Sequence, residues 1–433
     1  MLQRKTEKDL QLWKDSSRKK SLMVRGARQV GKTWLIRYFG ERNYPSFIEV
    51  NFLKMPELKA IFSGNLDIAT LLLNFSLYLP QAEFRTGETL LFLDEIQECP
   101  EAVTSLKFWV EDGRYDVIAS GSMLGIDYKR PQSYPVGFVS YLDMHALDFE
   151  EFLWSAGIRE QVVAYLQSCF EKRTVVPEAV HMQMMNYLRQ YMVVGGMPEV
   201  VSLYYETNSI AAADAKQRDI LNDYRYDIAH YAEADIKMKA ERCYFSLPDQ
   251  LAKENHKFQY SIIEKGSNSR KYKTSLDWLE SADFIRRSYN VERIEFPLQN
   301  NRDAANFRVY PTDIGLLSGM YPFEMKARLM ENTGLGTVKG GLYEALIADM
   351  LVKRGYKNLY FRKNQTATFE LEFLLEKAEG VVPLEVKAGR SRSKSLDNLL
   401  KKEEIPYGFK LVNGNVGVKD KKITLPLYMA MFL

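Results

Sequence analysis

Residues 26–33 read GARQVGKT. Glycine, four residues, glycine, lysine, then serine or threonine is the pattern of a loop that cradles phosphate, and few local patterns restrict a fold so tightly. Gly26 and Gly31 permit the turns that bring the N–H groups of Ala27, Arg28, Gln29 and Val30 close to phosphate oxygens. Lys32 offers a charge to the β- and γ-phosphates, and Thr33 offers a hydroxyl to Mg²⁺. The flanks agree with this reading. Ser21 to Arg25 (SLMVR) is short and apolar, as a buried strand is. Thr33 to Phe39 (TWLIRYF) has helical character, so a helix N-terminus would face the phosphates.

Thr89 to Glu95, TLLFLDE, runs from apolar residues into two acids. That is how a buried parallel strand ends at a Walker B site. Asp94 is then expected to contact Mg²⁺, directly or through water. Glu95 is expected to polarise the attacking water as general base, with Lys32 as its partner in catalysis. The next strand is expected at Asp116 to Ser120, after a helix over 101–111. Ser120 and Ser122 at its tip are candidates to sense the γ-phosphate, although serine is equally an ordinary turn residue. Strands and helices alternate as far as Trp154. They predict an α/β fold with a parallel sheet and ligands at the carboxyl ends of its strands.

The chain has 433 residues, enough for two to four domains. Its net charge of +3 does not mark a nucleic-acid binder, so any such surface must come from local clustering. Cys99, Cys169 and Cys243 lie far apart, which suits a reducing compartment and not a disulfide framework. The charged N-terminus has no signal-peptide core, and no apolar run is long enough to span a bilayer. The expectation is a cytoplasmic protein without membrane contact.

Several motifs together resemble a prokaryotic AAA-type ATPase family whose members carry a C-terminal domain of unknown function. They are GARQVGKT, LFLDEIQ (91–97), SGSML (120–124), LDFEEFLW (147–154), GGMPEVV (195–201), YRYDIAHY (224–231), SLDWLESADFIRR (275–287) and LEVKAGR (384–390). The resemblance covers nearly the whole chain. It implies ATP and Mg²⁺ as ligands, with the family's motif residues falling on Lys32, Thr33, Asp94 and Glu95. One departure is Gly137-Phe138, where the family often has Gly-Arg. If that arginine completes the site, Arg130 and Arg114 are the candidate substitutes and turnover is expected to be slow.

Four segments are expected: an ATPase domain over 1–150, a helical lid or connector over 151–235, a winged helix over 236–320 and a C-terminal domain over 321–433. In the third, Ser246 is a candidate N-cap, and Arg270, Lys271 and Lys273 at the start of a helix are candidate DNA phosphate contacts. In the fourth, a helical Glu, an acid on a strand and Glu-x-Lys on the next strand look like the restriction-endonuclease-like fold. The resemblance places that site on Glu344, Glu372, Glu385 and Lys387. The family commonly has aspartate where this chain has Glu372. The residues fit both a cleaving domain and one that only binds, and fold does not decide between them. Lysines and arginines from Arg390 to Lys422 form a candidate phosphate-tracking surface. The partner is accordingly DNA, another protein or a second copy of this chain. Its engagement would be controlled by nucleotide state, with an ATP-regulated nuclease and a non-hydrolysing ATP-gated switch as the alternatives.

Overall fold

Thr89–Asp94 is buried at every residue. Such a strand needs neighbours on both edges and cover on both faces. A computed structural model of the protein describes residues 2–121, 134–253, 255–364, 366, 368–387 and 394–433, and it supplies both. The segment is β3 of a sheet with β1 (Ser21–Arg25), β2 (Ser46–Asn51), β4 (Asp116–Gly121) and β5 (Val139–Asp143). The order is β2-β3-β4-β1-β5, and every pairing is parallel. β4 thus separates the strand before the glycine-rich loop from the strand that ends in Asp94.

The helices of this sheet are α1 (Thr6–Lys14), α2 (Lys32–Asn43), α3 (Ile68–Tyr78) and α4 (Pro100–Asp112). Local chemistry sets their ends. Asp67 accepts from the Thr70 N–H at the start of α3. Pro100 opens α4, where a missing N–H costs nothing, and Gly113 closes it in the left-handed region. Phe75 of α3 and Trp109 of α4 pack into one core with Phe62 and with Leu91 and Leu93 of β3.

Two compact units result. The N-terminal unit is Arg4–Ala146 with Ser281–Asp283, and the C-terminal unit is Leu147–Glu280 with Phe284–Leu433 and the first residues of the chain. The C-terminal unit opens with helices α5 (Phe149–Ser155), α6 (Glu160–Lys172), α7 (Glu178–Val194), α8 (Pro198–Thr207) and α9 (Ile210–Tyr231). There follow α10 (Lys237–Phe245), α11 (Leu247–Leu251), α12 (Tyr260–Ile263), α13 (Ser269–Ser281), the hairpin β6 (Ile285–Val291) and β7 (Arg302–Pro311), and α14 (Ile314–Met320). The remainder is α15 (Glu324–Glu331), α16 (Val338–Lys353), β8 (Leu359–Lys363), β9 (Glu370–Leu371), β10 (Phe373–Lys377), β11 (Gly380–Lys387), α17 (Lys394–Leu399), β12 (Gly408–Val412), β13 (Gly417–Lys419) and β14 (Lys422–Pro426).

Two details differ from expectation. Ser246 does not cap with its side chain; its hydroxyl donates back to the Cys243 carbonyl, because α10 runs almost directly into α11. Glu372, expected on one strand, instead falls at the break between β9 and β10, which belong to different sheets. Those sheets run β7-β6-β8-β9 and β10-β11-β12-β14-β13. The hairpin after α13 therefore continues, through parallel pairing of β6 with β8, into the strands of the last segment.

The GGMP break after α7 has a packing cause. A Cβ on Gly196 would lie 2.0 Å from the Leu147 carbonyl oxygen, and one on Gly195 would lie 2.5 Å from Gly315 Cα. The Leu147 N–H donates to the Gly196 carbonyl at 2.7 Å. The Leu147 carbonyl accepts from the Tyr191 hydroxyl at 2.9 Å and from Lys353 Nζ at 3.2 Å. Lys353 is buried between Asp349 and Asp313, at 2.8 and 3.4 Å. Asp313 in turn accepts from the Gly196 N–H and caps α14. Asp148 and Glu151 form a capping box on α5 immediately after Leu147. The LDFEEF and GGMP motifs are thus two sides of one close backbone approach.

Gly196→Ala should therefore destabilise the C-terminal unit by about 3 kcal/mol, the upper range for overpacking. Gly87→Ala, where nothing lies within 4 Å of the new methyl, should cost only about 1 kcal/mol for its positive φ. Urea unfolding of the two variants checks the contrast.

Candidate nucleotide-binding site

Gly26 leaves β1 with φ +149°, and a Cβ there would lie 2.0 Å from the Met144 carbonyl oxygen. Gly31 stands at the N-cap of α2 in the left-handed region. Both positions demand glycine. The loop between them wraps the Lys32 side chain, whose Nζ donates to the Gly26 and Ala27 carbonyls at 2.9 and 2.8 Å. Burial pulls the Lys32 ammonium down to about 8, against the charges of Glu95, Asp283 and Asp94, which favour its protonation.

Asp94 lies at the end of β3, beside the loop. Its Oδ2 accepts from Thr33 Oγ1 at 3.0 Å and from Asn51 Nδ2 at 2.8 Å, and its Oδ1 accepts from the Ser120 hydroxyl. Burial raises its pKa, and these three donors work in the opposite direction. Glu95, the next residue, adopts φ +52° and accepts from Gln97 Nε2 at 2.6 Å. A non-glycine residue in the left-handed region costs about 1–3 kcal/mol, and such strain concentrates at sites where a side chain must be aimed. The Thr33 hydroxyl and the Asp94 carboxylate are hard oxygen donors in contact with each other. Their chemistry fits Mg²⁺.

The structure therefore brings Lys32, Thr33, Asp94, Glu95 and Ser120 to the carboxyl ends of β1, β3 and β4. Ser122 and Arg130 lie outside the described residues. Arg114 is no substitute for an arginine of the site. It sits at the amino end of β4, where its guanidinium is paired with Asp112 at 2.8 Å. Two supporting residues escaped the sequence reading. Asn51 ends β2 in register with Asp94. A strand-final Asn reads locally as a turn residue, and here its Oδ1 does accept from Leu53 and Lys54 N–H. Arg4 is buried and donates to the Val30 carbonyl at 2.9 Å, holding the loop from behind. Nothing in its charged surroundings signals that role.

The C-terminal acids are gathered too, but around cations of the chain itself. Arg308 on β7 is fully buried; it donates to Glu344 at 2.6 Å and also to Glu370. Glu344, on α16, further accepts from Tyr310 and pairs with His256 Nδ1 at 2.6 Å. Burial pushes the Glu344 carboxyl up, yet Arg308 and His256 hold it down at about 2. Glu372 accepts from Lys387 Nζ and the Val386 N–H at 3.0 and 3.1 Å, and Lys387 also lies 3.7 Å from Glu385. Among the described residues, no group of three or more His, Cys, Asp or Glu is arranged to hold a metal ion. Arg308 and Lys387 pair with these acids, and as they stand the described residues offer a metal no cluster of three carboxylates.

The candidate DNA contacts Arg270, Lys271 and Lys273 are exposed at the start of α13, with Lys271 paired to Glu264 at 2.6 Å. In the basic tail, Lys422 pairs with Asp397 and Lys421 donates to two backbone carbonyls. Arg390 and Arg392 lie outside the described residues. All three cysteines are free and buried, and no helix among the described residues is long and apolar enough to cross a membrane.

Residues 18–153 match a family model described as an AAA domain. Residues 185–327 and 339–430 match two domains of unknown function, DUF8612 and DUF4143. Comparison with curated proteins returns no match. Among solved structures, the Walker-type ATPase of Pyrococcus abyssi is 14% identical over 74% of this chain and 96% of that one, with a TM-score of 0.41. The ORC1 protein of Aeropyrum pernix, solved in complex with DNA, is 10% identical over 77% of this chain and 93% of that one, with a TM-score of 0.29. AMPPCP-bound DnaA of Aquifex aeolicus is 12% identical over 63% and 86%, at a TM-score of 0.25.

The Arg308 pairing makes a testable demand. Arg308→Met should destabilise the C-terminal unit by about 3–5 kcal/mol, since it strands the buried Glu344 charge. Because the Glu344 pKa is depressed in the folded state, its contribution is present above about pH 4.5 and lost as pH falls toward 2. Urea midpoints measured from pH 6 to pH 3 should therefore fall less steeply in Glu344→Gln than in the unaltered protein.

Proposed function

Since its N-terminal unit is an AAA-type P-loop module in a chain that ends in the DUF4143 domain, we propose that this protein is an ATP-binding, Mg²⁺-dependent ATPase whose nucleotide state controls how its C-terminal half engages a partner. The observation that carries the reading is the contact of Thr33 Oγ1 with Asp94 Oδ2 at 3.0 Å, beside a lysine enclosed by its own glycine-rich loop. Lys32 would bind the β- and γ-phosphates, and the N–H groups of the loop would take their oxygens. Thr33 and Asp94 would hold Mg²⁺, which when bound neutralises phosphate charge. Asn51 and Ser120 orient Asp94 for that role. Glu95, aimed by its left-handed backbone and by Gln97, would accept the proton of the attacking water.

The partner is read from the surface of the C-terminal unit. Arg270 and Lys273 at the exposed start of α13 suit nucleic-acid phosphates; replacing both with alanine should weaken binding to DNA of any sequence if DNA is the partner. The C-terminal acids are read as a closed ion cluster and not as a cleavage centre, because Arg308 and Lys387 pair with the carboxylates.

Calorimetric titration and phosphate release test the nucleotide reading. Lys32→Ala should abolish ATP binding. Glu95→Gln should bind ATP with unchanged affinity and hydrolyse it at least about 100-fold more slowly, the usual loss for a general base. Equal hydrolysis by Glu95→Gln and the unaltered protein would exclude the assigned base.

A further inference from the structure

The P-loop has a neighbour from far along the chain. Ser281–Asp283 belongs to the N-terminal unit, although it comes at the end of α13, just before β6, in sequence. Asp283 adopts φ +63°, and its Oδ2 accepts from the Ala27 N–H at 3.0 Å. Ala27 is also the residue whose carbonyl accepts from Lys32 Nζ. One P-loop residue therefore connects the Asp283 carboxylate to the lysine that would bind phosphate. Asp283 also lies within SLDWLESADFIRR, a motif that the proposed catalytic scheme leaves without a role.

A carboxylate held against a phosphate-binding loop competes with phosphate in two ways. It draws on the same lysine charge, and it repels the charge that a nucleotide brings. ATP carries one more negative charge than ADP, and that charge resides on the phosphate that Lys32 reaches. The repulsion is therefore selective. Aspartate, like asparagine, can enter the left-handed region, so an asparagine at this position keeps the backbone conformation.

We propose that Asp283 is a nucleotide-discriminating residue of the P-loop, whose carboxylate on the Ala27 N–H disfavours a third phosphate relative to ADP. The proposal rests on the nucleotide reading given above and deepens it. Glu280 and Phe284, close to Asp283 in the chain, belong to the C-terminal unit. The charge that tells ATP from ADP is thus within a few peptide bonds of the half whose engagement the nucleotide controls.

Asp283→Asn is the informative variant. Asparagine tolerates the backbone conformation and keeps an acceptor for the Ala27 N–H, so only the charge is removed. Asp283→Gly keeps the backbone and removes charge and acceptor together. Titrations of the full chain with Mg²⁺ and either ADP or a non-hydrolysable ATP analogue give a ratio of affinities for each protein, with thermal melting confirming that each is folded. The expected result is a ratio shifted toward the ATP analogue by about tenfold in Asp283→Asn, with a shift of the same sign in Asp283→Gly. A merely structural contact would leave the ratio unmoved, and an unmoved ratio, or an equal change for both nucleotides, overturns the proposal. Binding of the ATP analogue that appears only in the Asp283 variants, with ADP bound by every protein, would support it in its strongest form. If no folded protein binds either nucleotide, the underlying reading of the site fails and this proposal fails with it. If the unaltered protein binds, Lys32→Ala does not, and the ratio stays fixed, the proposal alone fails.

Discussion

Asp94 is buried, and three side chains from different segments share its two oxygens. Thr33 reaches it from the first turn of α2, Asn51 from the end of β2 and Ser120 from the end of β4. Each hydrogen bond to a charged group contributes about 1.5–3 kcal/mol, which offsets the desolvation of a carboxylate at the edge of an apolar sheet. The arrangement exists only because β4 lies between β1 and β3. That order sets the glycine-rich loop, the acid and the Ser120 hydroxyl side by side at one end of the sheet. The apolar strands thus position the chemistry, and the polar residues at their tips join neighbouring strands through one shared carboxylate.

The C-terminal unit uses buried charge differently. Lys353 joins Asp349, Asp313, Tyr191 and the Leu147 carbonyl, and it fixes the point where the chain enters the unit. Arg308 joins Glu344 and Glu370 across β7, α16 and β9. Breaking such a cluster is costly because it leaves a charge without a partner, whereas the intact cluster adds little net stability. Its effect is to specify how the helices and strands pack. The same pairing engages the carboxylates of the last segment, which on residue types alone look like metal ligands, with cations of the chain itself.

The N-terminal unit was largely legible because its signals are local. A glycine-rich loop between an apolar strand and a helix, and an apolar strand ending in Asp-Glu, each carry their geometry within a few residues. Strand order does not, so the placement of Ser120 beside Asp94 and the pairing of β6 with β8 could not be read from periodicity. Nothing local marks Asn51 or Arg308 for its role, because burial and partners are properties of the assembled fold. Glu372 sat in an apparently continuous run of strand residues, and only the packing of two sheets shows that the chain breaks there. The LDFEEF and GGMP motifs were visible as motifs, while their cause, the contact between Leu147 and Gly196, joins segments far apart in sequence.

The account stands or falls on whether Thr33 and Asp94 hold a divalent cation together with nucleotide. Mn²⁺ replaces Mg²⁺ in such sites and reports its surroundings by electron paramagnetic resonance. The spectrum of the full chain should show protein-bound Mn²⁺ only when ATP is added, and Asp94→Asn, folded by thermal melting, should lose that signal. Mn²⁺ bound equally without nucleotide, or undiminished in Asp94→Asn, would contradict the assignment of this cluster as the metal–nucleotide site.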